Sequence, residues 1–498
     1  MGLLISAFMP DIEEHIYRAQ KRDTLRQKGI DPYTNQLDSR VTCHEAQERF
    51  EEWSQSGHEI GLAGRVRSIR KHGGSMFLDI DDGTDRIQLF IKKDIVSVED
   101  FEQTNELLDI GDIIYTTGTL FLTKKEEKTL QVSAFTLLTK ALLPLPEKWH
   151  GLSDVETRYR QRYLDLIANP SVKALFHERA IIIRTIREFF EHARFIEVDT
   201  PVLQSIPGGA TARPFMTHHH ALNTDMYLRV APELYLKRLI VGGFERVFEI
   251  ARCFRNEGID HTHNPEFTQV EAYMAYATYK DLMSLVEQLV RAMVMSVHQK
   301  TSFEYEGTVI ECGNPFSQLS FREGIIKYAD IDIDAHLTFE ALSIAAASRG
   351  ADIKGSTSRA QILDVLFKTF VAPALIQPTF VIDYPLELSP LARKKDDNPA
   401  YTERFQLVIA GVERVNAFSE LNDPVDQLER FKEQEEMHNK GDVEAQRLDT
   451  DYITALEHGM PPTAGLGMGI DRMVALLTNS HAVKEVLLFP ALRPKTEE

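Results

Sequence analysis

Hydrophobic and polar positions change period several times along the chain, and each change marks a different kind of element. In residues 10–29, "PDIEEHIYRAQKRDTLRQKG", Ile12, Ile16, Ala19 and Leu25 recur among Arg18, Lys21, Arg22, Arg26 and Lys28, and Gly29 follows as a stop signal. That spacing predicts an amphipathic helix, which at its simplest is a solvated surface helix. From Ile60 to about Lys140 the period drops to two, in five or so short strands broken by glycine and aspartate. Such a run predicts a small Greek-key barrel of the OB type, a fold that commonly binds single-stranded nucleic acid on one face. On that face Phe77, between Met76 and Leu78, would supply a stacking ring, and Gln88 in "RIQLF" a base-edge amide. Barrel statistics alone favour the core for Phe77.

Pro144 and Pro146 mark a linker, followed by a polar helix. Beyond it "SVKALFHERAIIIRTIREFFEHARF" carries a 3.6-residue period and predicts a long helix, and "IEVDTPVLQS" an extended segment stopped by Pro201. The remainder mixes strands and helices without a strand–helix–strand rhythm, which predicts an antiparallel sheet rather than a doubly wound one. Residues 246–255 and 267–275 alternate as two strands around a polar tip at 256–265. In the return strand Phe267, Gln269, Glu271 and Tyr273 share one face, and Thr268, Val270, Ala272 and Met274 the other. With helices covering only the second face, the first would floor an open cleft. The stretch "TERFQLVIAGVERVNAFSELNDP" behaves alike, with Asn416, Phe418 and Glu420 on one face past Gly411.

Composition narrows the class. At 498 residues, with 43% hydrophobic and 26% charged, the chain fits a water-soluble protein of two to four domains, and no apolar run is long enough to span a bilayer. A net charge of −19 argues against coating nucleic acid through bulk charge, so such contacts must be local. Cys43, Cys253 and Cys312 are odd in number and far apart, which fits a reducing cytoplasm better than a disulfide framework. The N-terminus lacks the basic region of a signal peptide, and Met1, Gly2 and Ser6 match only the loose N-myristoylation pattern.

The candidate chemistry sits in a few segments. Arg255, Glu257 and His263 at the hairpin tip offer a guanidinium fork, a carboxylate and an imidazole within nine residues. "PPTAGLGMGIDRMVALL" is a glycine-rich run entering an apolar helix, with Asp471 and Arg472 at its start; it is neither a P-loop nor a dinucleotide fingerprint, and alone it reads as a tight packing turn. Glu233 opens a helix after Pro232 that ends at Gly242, where it would complement the helix dipole. Gly208 and Gly209 expose backbone in "SIPGGATARPF". His218, His219 and His220 point to alternating faces and make a poor metal cage. Carboxylates such as Glu413 and Glu420 could hold Mg2+ or neutralise a substrate cation. Arginines for an anion, acids for a cation and no evident nucleophile suit nucleotidyl transfer.

"FIEVDTPVL", "FRNEGIDHTHNPEFTQVEAY" and "GLGMGIDR" resemble the three signature motifs of class II aminoacyl-tRNA synthetases. "SIPGGATARPF", "RVAPELYLKRL", "LELSPLAR" and "NAFSELNDP" resemble the lysyl branch of that family. The resemblance runs from about residue 15 to the C-terminus. It implies an α+β chain with an N-terminal helical extension at 1–58, an OB-fold anticodon-binding domain at 59–143, a linker at 144–160, and an antiparallel catalytic domain flanked by helices at 161–498. It also implies a homodimer formed partly around Pro201, and lysine, ATP, Mg2+ and tRNA(Lys) as substrates, cofactor and partner, with no membrane. The family pattern gives Arg255 to the ATP α-phosphate and the amino acid carboxylate, and Arg472 to the γ-phosphate. Glu257, His263, Asn264 and Phe267 match the ATP-holding set, and Glu413 a magnesium and ATP ligand. Gly209 and Glu233 match the α-amino site; Glu271, Tyr273, Asn416, Phe418 and Glu420 match the side-chain pocket, with Glu420 facing the ammonium.

Two positions depart from that pattern. Gln406 stands where the family usually has a glutamate; its amide oxygen could still coordinate Mg2+, with one negative charge fewer. Thr129 in "KTLQ" aligns with a glutamate that often contacts the anticodon. The rival readings are an aspartyl or asparaginyl enzyme of the same subclass, which Glu420 would oppose by repelling aspartate, and a synthetase-fold binding protein without catalysis.

Overall fold

The computed structural model describes residues 12–146, 152–439 and 447–494, so the acylation pattern at Met1, Gly2 and Ser6 and part of the expected linker lie outside the described residues. The chain divides into two compact units, Met1–Ser153 and Asp154–Glu498. Among the described residues no helix is long and apolar enough to cross a membrane.

The first unit opens with helices α1 (Ile12–Gln27), α2 (Cys43–Glu48) and α3 (Phe50–Ser56). Strands β1 (Glu59–His72), β2 (Ser75–Asp81) and β3 (Arg86–Lys92), helix α4 (Val98–Leu107), and strands β4 (Ile113–Leu122) and β5 (Lys128–Thr139) follow. The sheet closes in the order β1-β2-β3-β5-β4 and back to β1, with β3 and β5 parallel. Alternation does the work: Leu62, Met76, Leu78, Ile80, Leu89, Leu130 and Val132 all turn into one core. Helix α4 is an addition to the expected strands; "VEDFEQTNEL" is too acidic to show a helical stripe, and Phe101 and Leu107 anchor it in the core. Helix α1 is not merely solvated. Leu25 is buried in the same core, Arg18 donates to the Ile110 carbonyl at 2.9 Å, and Lys21 pairs with Asp109 at 2.5 Å.

Phe77 departs from the core expectation. It is half-buried on the outer face, its ring 4.8 Å from Phe90, which lies 6.0 Å from Phe121. Gln88 shares that face but is buried, and its Oε1 accepts from Thr129 Oγ1 at 2.9 Å.

The second unit begins with α5 (Val155–Arg160), α6 (Arg162–Ala168) and α7 (Pro170–His192), the last with proline in its first turn. After β6 (Ile196–Glu197), a small sheet forms from β7 (Leu203–Gln204), β8 (Met216–His219) and β9 (Thr224–Leu228). Then come α8 (Glu233–Val241), β10 (Arg246–Phe254), β11 (Glu266–Ala275) and α9 (Tyr279–His298), whose start carries a Thr278–Asp281 capping box. The hairpin β12 (Ser302–Tyr305) and β13 (Thr308–Glu311) leads to β14 (Ser317–Ser320). Helices α10 (Phe321–Ala329), α11 (Phe339–Ser348) and α12 (Arg359–Leu366) precede β15 (Thr379–Pro385), β16 (Tyr401–Ile409) and β17 (Val412–Ser419). The unit ends with α13 (Pro424–Asn439), α14 (Thr450–Glu457), β18 (Thr463–Gly469) and α15 (Ile470–Leu477).

Eight strands form one sheet in the order β14-β15-β16-β17-β18-β11-β10-β6. It is antiparallel except at its two edges, where β14 pairs with β15 and β6 with β10 in parallel. The glycine-rich run is no turn: residues 463–469 are a central strand between β17 and β11. Helices α7, α9 and α15 cover one face, with Ile182, Ile186, Phe190, Val286, Val290 and Val474 packed on Val270, Ala272, Leu407 and Leu466. Each such side chain contributes roughly 1.5–3 kcal/mol of burial. The opposite face remains for chemistry.

Candidate active site

That face holds a cavity of about 360 Å³, within the range of small-molecule sites. Its floor is β11, β18, β17 and β16, and every strand contributes through its period of two. From β11 come Phe267, Gln269, Glu271 and Tyr273; from β17, Asn416 and Phe418; from β16, Arg404 and Gln406. The hairpin tip supplies Arg255, Glu257, His263 and Asn264, and the start of α15 supplies Asp471 and Arg472. Gly209 lines the rim beside Glu233, which opens α8. The fold therefore brings together residues spread from 209 to 472.

One end of the cavity is a buried acid cluster. Glu271 is 5% exposed and accepts from Gln269 Nε2 at 2.6 Å and Tyr273 OH at 2.8 Å. Gln269 is thus buried in the floor, bonded to Glu271. Burial, with Glu233 adding repulsion, pushes the Glu271 carboxyl up to about 8. Glu420 is fully buried on the cavity face of the sheet, beside Gly465, where a Cβ would run into Glu420 Oε1 and the Tyr273 ring. That Oε1 is buried with no hydrogen-bond partner, and Oε2 pairs with Lys237. Burial pushes Glu420 well above the carboxylate range in spite of Lys237.

Lys237 has no exposed side-chain surface and also pairs with Glu233 Oε1 at 2.5 Å. Against the cost of burial, Glu233 and Glu420 hold its ammonium above the usual lysine range. Helical spacing of four from Glu233 was the signal that could have found it. The rings of Phe418 and Tyr452 stand 5.5 and 6.0 Å from Nζ. Three carboxylates, Glu233, Glu271 and Glu420, thus face one built-in ammonium, which leaves two acidic sites over. A buried set of that kind is stable only if it keeps protons or receives cations.

The other end is open and basic. Arg255 lies over the Phe267 ring at 5.1 Å, and its Nε is buried without a hydrogen-bond partner. Arg472 Nη2 meets His263 Nε2 at 3.1 Å, while His263 Nδ1 faces Asp260 at 2.8 Å. Against the cost of burial, the Thr262 amide and His263 hold Asp260 down at about 2. Asn264 is engaged at both ends, donating to the Glu266 carbonyl at 2.6 Å and accepting from the Ala491 amide at 3.2 Å. Asp471 is structural: Oδ2 accepts the Thr268 amide at 2.8 Å and Oδ1 pairs with Arg179 at 2.7 Å.

Strands β16 and β17 join through Ala410 and Gly411, both at positive φ, a two-residue turn whose twist suits the strands. A bulge beside it aims both Glu413 and Arg414 at the cavity. Glu413 makes no ion pair or side-chain hydrogen bond among the described residues. One such carboxylate together with substrate phosphates is a normal Mg2+ set, so Glu413 fits the ion. Gln406 fits it less well than a carboxylate would: its amide brings no negative charge, and Tyr384 OH already donates to its Oε1 at 2.7 Å. Among the described residues no group of three acids, histidines or cysteines could hold a metal by itself. Arg404, Arg414, Tyr384 and Lys237 are the site residues the sequence reading missed.

Residues 154–493 match the tRNA synthetases class II (D, K and N), and residues 60–138 match the OB-fold nucleic acid binding domain. The chain is 49% identical over 480 residues to a lysine--tRNA ligase of Pelotomaculum thermopropionicum, covering 96% of this chain and 94% of the relative. It is 48% identical to that of Moorella thermoacetica, over 96% of this chain and 98% of the relative. It is also 48% identical to that of Pectobacterium carotovorum, over 96% of each. A one-sided sheet with a basic and an acidic end, a closed five-stranded barrel and matches over almost the whole length place the chain in the class II tRNA synthetase family.

Proposed function

We propose that this chain is a lysine--tRNA ligase, which activates L-lysine with ATP and transfers it to tRNA(Lys). The observation that carries this reading is the acid cluster: three buried carboxylates against the single ammonium of Lys237 leave two places, and lysine brings two ammonium groups. Aspartate or asparagine would bring one, and an acidic or neutral side chain would leave the cluster uncompensated.

In this reading Glu233 and the Gly209 backbone receive the α-ammonium. Glu271, Tyr273 and Glu420 receive the ε-ammonium, with Asn416 and Phe418 shaping the wall. Arg255 bridges the amino acid carboxylate and the α-phosphate, Phe267 stacks adenine, and Glu257, His263 and Asn264 hold the nucleotide. Arg472 takes the γ-phosphate. A carboxylate oxygen attacks the α-phosphorus, a new P–O bond forms, and pyrophosphate leaves with the bonding pair. A terminal tRNA hydroxyl then attacks the adenylate carbonyl, and AMP leaves. Arg255 serves by position and charge, and no enzyme nucleophile is needed. Glu413 would hold Mg2+, which when bound neutralises phosphate charge.

The rings of Phe77, Phe90 and Phe121, with Gln88 and Thr129 at their edge, support anticodon stacking on the barrel. Exposed Ile196, Val202 and Leu203 around Pro201 support a homodimer contact there. The free thiols of Cys43, Cys253 and Cys312 suit a reducing cytoplasm, where we place the activity. ATP–pyrophosphate exchange with each of the twenty amino acids tests the assignment. Stimulation by lysine is expected; stimulation by aspartate or asparagine and not lysine would overturn it.

A further inference from the structure

Gln406 is the one floor position where this chain departs from the family pattern, and its surroundings say what the amide does. It is 8% exposed and lines the cavity on the strand next to Glu413. The tip of an amide carries one acceptor atom and one donor atom. Tyr384 OH takes the acceptor, Oε1, at 2.7 Å. The donor, Nε2, has no partner among the described residues, so it is the atom the cavity meets. A glutamate in the same place would give one oxygen to Tyr384 and keep a second, negatively charged oxygen for a cation. The amide instead turns N–H groups outward, and these repel a cation and attract an anion.

Tyr384 fixes this orientation because it cannot turn away. It is 3% exposed, with the Phe321 ring at 5.0 Å, Phe367 at 6.0 Å and the Arg404 guanidinium over its ring at 4.5 Å. Flipping the amide would leave the buried hydroxyl proton without its acceptor, at a cost comparable to a lost hydrogen bond. Arg404 completes the arrangement: its Nε holds Asn416 Oδ1 at 2.8 Å directly across from Gln406 in the sheet.

We propose that Gln406, locked by Tyr384, donates a hydrogen bond to a phosphate oxygen of the bound nucleotide instead of ligating a metal. The site accordingly holds one divalent cation fewer than it would with glutamate there. This rests on the ATP-dependent reading above, and the test separates the two. Mn2+ bound per site is counted by electron paramagnetic resonance at saturating ATP, and metal-free ATP affinity is measured in excess chelator, for the wild type, Gln406→Glu and Gln406→Leu. Gln406→Glu is expected to bind one more Mn2+ per site and to weaken metal-free ATP binding by about tenfold or more, since it adds charge beside phosphate. Gln406→Leu is expected to leave the Mn2+ count unchanged and to weaken metal-free ATP binding by about three- to tenfold, the worth of one hydrogen bond. An unchanged Mn2+ count in Gln406→Glu, or wild-type metal-free affinity in Gln406→Leu, overturns the proposal while leaving ATP as substrate. A wild type that binds no ATP with or without metal overturns the ATP-dependent reading itself.

Discussion

The two ends of the catalytic cavity solve opposite electrostatic problems with opposite degrees of burial. At the acidic end Glu271, Glu420 and Lys237 are withdrawn from water, so charges must be matched one for one. At the basic end His263 is exposed and Arg472 half-buried, so solvent shares the load and individual pairs matter less. In the proposed reading the difference places selectivity at the buried end. Desolvated carboxylates discriminate by the penalty of being left unpaired, whereas an open arginine cluster attracts phosphates without reading their context closely.

Breaking the buried end carries the largest expected effects. Lys237→Met leaves Glu233 and Glu420 without their internal cation; loss of one partner of a buried pair costs about 3–5 kcal/mol, read as a lower midpoint in urea, and lysine-dependent exchange is expected to vanish. An unchanged midpoint would mean the cluster is wetter than the geometry indicates. Glu271→Gln is expected to reduce kcat/KM for lysine by about a hundredfold, with KM for ATP unchanged, because one ammonium loses its counter-charge. Equal loss for both substrates would place Glu271 in the fold rather than in recognition.

Gly465→Ala tests how closely Glu420 and Tyr273 pack on the cavity face. Its methyl group meets Glu420 and Tyr273, so lysine affinity is expected to fall by about tenfold or more while nucleotide binding persists, measured by calorimetry. The smallest effect belongs to the open end. His263→Ala is expected to change KM for ATP by only about two- to fivefold, and by less at high salt, since an exposed contact contributes about 0–1 kcal/mol. A hundredfold loss there would erase the contrast between the ends.

Much of this arrangement was legible in local periodicity. Alternation along 267–273 and 416–420 identified the faces on which Glu271, Tyr273, Asn416 and Phe418 stand, because a strand allows only two directions. What periodicity could not give was depth and pairing across the chain. Glu420 has the right face, and only the missing side chain of Gly465 on the neighbouring strand leaves room for it there. Lys237 reads as a surface helix lysine until Glu420, far along the chain, closes over it. Tyr384 and Gln406 meet only because β15 and β16 pair, and the apolar residues around Tyr384 give no sign of a polar task. The glycine run at 463–469 looked like a turn because small residues break propensity, whereas at Gly465 the central strand needs one, since Glu420 and Tyr273 crowd in from both neighbours.

Proton exchange on lysine binding tests the charge balance most directly. Burial pushes the Glu271 carboxyl up to about 8 and Glu420 in the same direction. An entering ammonium favours the ionised carboxylates and lowers those values, so binding at pH 7 must release protons, and lysine affinity must rise as pH approaches 8. Calorimetric titration of lysine at pH 7, in buffers of different ionisation enthalpy, is expected to show net proton release that shrinks in Glu271→Gln. Binding without proton release, or with proton uptake, would contradict the three-to-one cluster as the basis of lysine recognition.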